Sequence, residues 1–162
     1  MGRSRVFESL YSTIVGDLNL LAILGTQTAT NRRILRSFPQ LQSFLLGPPA
    51  YEPAIPEGWL VIEETGQGTT VSARTQYETI FEVMDIVFVV FATTYGVADD
   101  VTDYLDAYFQ WGIPQQRDLR FGNWYVFFSR AYRTKEDYAK EIKLAQKERH
   151  YRFELVAAEQ AA

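Results

Sequence analysis

Residues 82–94, EVMDIVFVVFATT, constrain the architecture of this chain more than any other segment. From Val83 to Phe91 only Asp85 is not apolar, and most of the run is β-branched or aromatic. That composition suits a pleated strand better than a helix. The run is too short and too interrupted to span a bilayer. A strand apolar on both sides must be covered on both. Helices of its own subunit supply one cover. The other is either a second layer or a neighbouring copy of the chain.

The elements on either side follow from periodicity. Downstream, Val97, Val101, Tyr104, Leu105, Tyr108 and Phe109 recur at helical spacing and predict a helix over 94–111. Thr93 or Thr94 caps it, Asp99 and Asp100 favour its positive end, and Gly112 and Pro114 stop it. Upstream, Trp59 to Thr65 (WLVIEET) reads as a strand and GQG at 66–68 as a turn. Residues 69–79, polar and partly β-branched, form the far end of a long hairpin.

The N-terminal helix is expected from Ser4, a plausible N-cap, to Leu24, with Gly25 as its stop. Val6, Leu10, Ile14, Leu18 and Leu21 give the stripe, and Asp17 and Asn19 mark a bend or break. Residues 26–57 carry weaker signals. Leu35, Phe38, Leu41, Phe44 and Leu45 have loose helical spacing, and GPPAYEPAIPEG (47–58) is an extended Pro-rich connector. Asn123 to Arg133 reads as a strand, 134–147 as a short helix or an ordered loop, and 148–157 as a closing strand. In that last strand Tyr151, Phe153 and Leu155 face one way, and His150, Arg152 and Glu154 the other. Residues 158–162 read as frayed.

The expectation is one α+β domain over 1–162 in the order α-β-β-α-β-β. Its core is a largely antiparallel four-stranded sheet with two main helices on one face. A chain of 162 residues, 47% hydrophobic and 15% aromatic, is long enough to bury such a core. Net charge −4 argues against a general nucleic-acid binder. The lack of cysteine removes disulfides and thiolate metal sites, and the single histidine, His150, removes a two-histidine zinc motif. The basic, then amphipathic start MGRSRVFES lacks the apolar core of a signal peptide, which points to an intracellular protein or one built into a particle from the cytoplasm.

No motif carries catalysis. GQGTT (66–70) lacks the lysine and following helix of a phosphate loop. Asp99, Asp103 and Asp106 share a helix face but read as a solvated, dipole-favoured stripe rather than a metal site. Glu63 and Glu64 are adjacent in a strand and point apart. His150 has no recognisable serine or cysteine partner. No enzyme and no cofactor are therefore expected. Arg32, Arg33 and Arg36 form the densest basic group, suited equally to a phosphate or acidic neighbour and to a solvated face beside a loop, and they would also fit a protein–protein rim.

Four features together resemble the tail terminator, or tail completion, proteins of long-tailed bacteriophages. They are an N-terminal amphipathic helix ending in DLNLLAILG (17–25), the Pro-rich entry AIPEGWLVIEET (54–65), the strand and helix VFVVFATTYGVADDVTDYLDAYF (87–109), and the alternating strand RHYRFELVA (149–157). The resemblance spans nearly the whole chain as a pattern of elements, with 26–57 as an unusually long departure.

It implies a ring, usually of six subunits, at the head-proximal end of the tail. Such a ring ends tail-tube polymerisation and docks the head connector, and DNA passes through its lumen. Its partners would be copies of itself, the tail tube protein and the connector or head-completion protein, with no membrane and no cofactor. The place would be the virion, assembled in the host cytoplasm. On this view Arg32, Arg33 and Arg36, the 66–79 tip (Gln67, Thr69, Arg74) and the 134–147 segment (Lys135, Lys140) make inter-subunit or inter-ring contacts. Another neck protein, a minor tail component, or a small cytoplasmic binding module using an open sheet face are the alternatives.

Overall fold

The computed structural model describes residues 2–72, 79–109 and 120–157, and the side chains of 6–65, 82–109, 120–126 and 129–156. The elements are α1 (Gly2–Val15), α2 (Leu18–Leu24), β1 (Ile34–Leu35), α3 (Phe38–Leu46), β2 (Gly58–Ser72), β3 (Thr79–Ala92), α4 (Tyr95–Phe109), β4 (Arg120–Phe121), β5 (Trp124–Ala139) and β6 (Leu144–Ala157). The strands form one sheet in the order β1-β2-β3-β6-β5-β4. Every neighbouring pair is antiparallel except β1 with β2.

The expected four-stranded sheet with two helices is corrected by this topology. Its four strands are the middle ones, β2, β3, β6 and β5. Two-residue strands extend both edges, and the parallel β1 makes the sheet mixed. Neither short strand is long enough to show a period of two. The helices among the described residues number four. The first expected helix is two, bent by 65°. Asp17 makes the break, because its carboxylate accepts from the backbone N–H of Asn19 (3.0 Å) and Leu20 (3.2 Å) and caps α2. Ser4 lies within α1 rather than capping it.

Strand β3 runs from Thr79 to Ala92 with a ladder on each side, to β2 and to β6. Its alternate residues Met84, Ile86, Phe88, Val90 and Ala92 are buried in the larger core, under α1, α2 and α4. An aromatic knot holds that core together. Phe109 at the end of α4 packs on Phe88 (5.4 Å), Phe153 (5.2 Å), Tyr151 (5.7 Å) and Phe121 (6.1 Å).

The opposite face of β3 is covered by the chain itself. Helix α3 lays Phe38 on Phe91 at 5.1 Å, and Leu41 and Leu45 join Trp59, Val61 and Leu144 in a second, smaller core. Past α3, Val87 is only 5% exposed. The residues paired with it are Glu63 and His150, and its neighbour on that face is the Asp85–Arg152 ion pair. The second cover is thus a second layer within the subunit, and apolarity of β3 gives no reason for another copy.

Three local readings also change. GQG is no turn. Gly66, Gln67 and Gly68 stay paired within β2, and the glycines follow a β-bulge between Glu64 and Gly66. The 134–147 segment is neither helix nor loop. It is the end of β5, a tight turn with Lys143 at φ 56°, and the start of β6. Asp99 and Asp100 lie beyond the first turn of α4, which Thr94 Oγ1 caps by accepting from Val97 N–H at 3.3 Å. Gly112, Pro114 and the 158–162 tail lie outside the described residues.

Truncating Phe109 to Ala empties the centre of the aromatic knot. We expect Phe109→Ala to lower the unfolding free energy by about 3–5 kcal/mol, read as a reduced urea midpoint at unchanged m-value.

Candidate interaction surfaces

The three arginines of 32–36 have three different fates. Arg33 is 4% exposed and pairs with the equally buried Glu57. Its Nε donates to the Thr26 carbonyl at 3.0 Å, and its guanidinium lies 4.8 Å from the Trp59 ring centre. Glu57 also accepts from the Tyr51 hydroxyl and from Ala54 N–H (2.6 Å). Asn31 completes the cluster, accepting from Trp59 Nε1 at 3.0 Å. This network anchors both ends of the 26–57 segment to the start of β2. Arg33 therefore belongs to the interior, contrary to its expected place at an interface.

Arg36 is exposed but engaged. It binds both carboxylate oxygens of Glu8 on α1 and lies 4.1 Å from the Tyr11 ring centre. The hydrogen bond from Arg36 holds the Glu8 carboxyl below the usual carboxylate range. Arg32 is exposed. The group thus leaves only Arg32 without an ion pair among the described residues and is no continuous basic patch.

Gln67 and Thr69 sit in β2, opposite Met84 and Glu82 of β3. Their side chains, and all of Arg74, lie outside the described residues. Lys135 is exposed on β5, opposite Glu148, and Lys140 is exposed in the β5–β6 turn.

Beyond the part covered by α3, the sheet face away from α1, α2 and α4 is charged. Its centre carries Asp85, which binds the Arg152 guanidinium through both oxygens at 2.8 and 3.0 Å. His150 Nε2 lies 3.2 Å from Glu148 on the same strand. Towards the edge, Arg130, Arg133 and Lys135 face Arg152, His150 and Glu148 in register. Residues 130 and 133 share a face because a bulge between Ala131 and Arg133 adds one residue to β5. That bulge has no sequence mark, so the three cations read as scattered rather than as a row.

The helix side is acidic. Asp99 takes Lys147 Nζ at 2.8 Å, and Asp106 takes Arg149 at 3.0 Å and the Tyr151 hydroxyl. These two carboxylates bind β6, not a metal. Among the described residues no group of three His, Asp or Glu is placed to hold a metal ion. Asp100 and Asp103 point outward and are exposed. A shallow hollow of about 540 Å³ lies beside α3, lined by Leu45, Leu46, Tyr51, Ile55, Ile142 and Leu144. Its groups are largely apolar, and none of the acid–base pairs above opens into it.

These surfaces define a class: a single sheet with helices on both faces and charged outer layers. No family model matches the chain, and no curated protein matches it in sequence. Its fold is similar to that of a chain in a solved structure described as the virion of a native gene transfer agent particle. The likeness has a TM-score of 0.51 at 13% sequence identity, over 96% of this chain and 94% of that one.

The buried ion pair yields a direct test. Arg33→Met and Glu57→Gln should each cost about 3–5 kcal/mol, since each leaves a buried partner uncompensated. In urea titrations the double variant should lose clearly less than the sum of the two.

Proposed function

We propose that this chain is a structural component of a phage-like virion, and within it the terminator of the tail. The observation that carries the coarser part is the shared fold with a virion chain over nearly the full length of both. A likeness spanning 96% of one chain and 94% of the other argues for the same structural unit rather than for one common motif. The finer part rests on the element pattern: a bent amphipathic helix pair, a Pro-rich entry, a long central strand feeding a helix at once, and an alternating closing strand.

The physics of the subunit suits a scaffold part. Charged groups packed between elements are neutralised by one another, as in the buried Arg33–Glu57 and the half-buried Asp106–Arg149. Copies of the chain would close into a ring through one repeated contact between two different surfaces. One rim would meet the tail tube protein and the other the head connector, with DNA in passage through the lumen. Net charge −4 suits a wall past which DNA moves, because basic surfaces bind it by counterion release.

Removing the gene from its particle-forming genome should give tails of uncontrolled length that fail to join heads, and expression in trans should restore both. Tails of normal length that merely stay detached would favour a neck or head-completion role. Normal particles would refute the virion assignment.

A further inference from the structure

Resting on that assembly reading, we propose that the basic row of β5 is the docking surface for the acidic outer face of α4 on a second copy of this chain. Arg130, Arg133 and Lys135 are all exposed, and none makes an ion pair among the described residues. They occupy one face of one strand, opposite Arg152, His150 and Glu148. Arg130 faces Arg152 directly, so two guanidiniums stand across from each other. Only one of them is neutralised, by Asp85. Like charges opposed across a ladder are destabilising unless something else answers them. Among the described residues no carboxylate makes an ion pair with Arg130, Arg133 or Lys135.

The complementary surface lies on the other layer of the same molecule. On α4 the buried stripe is Val97, Ala98, Val101, Leu105 and Phe109. Asp100 and Asp103 fall on the opposite side of the helix and make no ion pair among the described residues. Because one charge set lies on the helix layer and the other on the open sheet face, they cannot meet within a subunit. They meet when the helix layer of one copy approaches the sheet face of the next. Such a contact is heterologous, and it closes a ring where the rotation between copies returns to the first.

The relief of the two layers runs in the same sense. Leu18, on the helix layer beside α4, is 78% exposed, and the apolar hollow bounded by Ile142 and Leu144 lies on the sheet-face side near the β5–β6 turn. A polyphosphate is the weaker occupant, because Asp137 and Glu154 share the face with the cations and the whole chain is acidic.

The test uses charge reversal on the full chain. One variant combines Arg130→Glu, Arg133→Glu and Lys135→Glu, and the other combines Asp100→Lys and Asp103→Lys. Sedimentation velocity should show wild-type self-association that weakens between about 50 and 500 mM salt. Each variant alone should associate at least about tenfold more weakly, with an unchanged circular dichroism spectrum. A one-to-one mixture of the two variants should regain the wild-type oligomer, since every acid then meets a base.

Wild-type rings that survive both reversals would overturn this contact while leaving the ring reading intact. Loss in each variant without recovery in the mixture would overturn the pairing of these two surfaces. Salt-independent monomers of the wild type would overturn docking between copies, with the gene-deletion phenotype still deciding the virion role. Unchanged oligomers together with lost binding of a labelled DNA duplex by the β5 variant would assign the row to nucleic acid instead.

Discussion

The whole structure depends on β3 being laddered on both sides while its side chains alternate between two unlike environments. A period of two fixes which residues go where. Met84, Ile86, Phe88 and Val90 go under three helices, and Val87, Val89 and Phe91 go towards α3 and the open sheet face. A slip of one residue would drive Asp85 among Phe109 and Tyr151 and turn Phe88 outward. The register is therefore held by the full depth of the core. Because β6 pairs with β3 over twelve residues from Phe81 to Ala92, the same parity passes on to β6 and then to β5. It fixes which charges on those strands face outward.

The second determinant is polar. The long segment between α2 and β2 packs its own apolar residues through α3, and its two ends need a separate tie. That tie is made by Arg33 and Glu57, which bring the two ends of the segment together over the Trp59 ring. With those ends fixed, α3 lies across the second face of the sheet and its Phe38 and Leu41 reach Phe91 and Trp59. A buried pair of this kind contributes more to the choice of one arrangement than to net stability. Here that choice separates a sheet face closed by its own chain from one left open.

What the sequence disclosed and what it hid divide along physical lines. The major strands and helices carry strong periods and were legible, as was the break at Asp17. Strand β1 and strand β4, at two residues each, have no period to read, so the sheet was undercounted and its parallel edge missed. GQG was misread because glycine serves a bulge as readily as a turn, and only the register tells them apart. The end of β5 was misread because an edge strand carries charges for its own reasons, and TKEDYA looks like a loop. Arg32, Arg33 and Arg36 are alike in sequence. Only Glu57, twenty-four residues from Arg33, and Glu8, twenty-eight from Arg36, make them different. No local pattern could reveal that.

The first helix rests on parts of the chain made long after it. Gly122, in the β4–β5 turn at φ 61°, sits so close to α1 that a Cβ there would lie 2.6 Å from Ser9 Oγ, and the α1 residues Val6, Leu10 and Ile14 share one core with Phe121 and Phe153. Roughly a hundred residues must therefore be synthesised before the β4–β5 part of that seat exists, which at 5–20 residues per second takes on the order of ten seconds. During that interval the apolar stripe of the nascent chain has no complete seat to cover it.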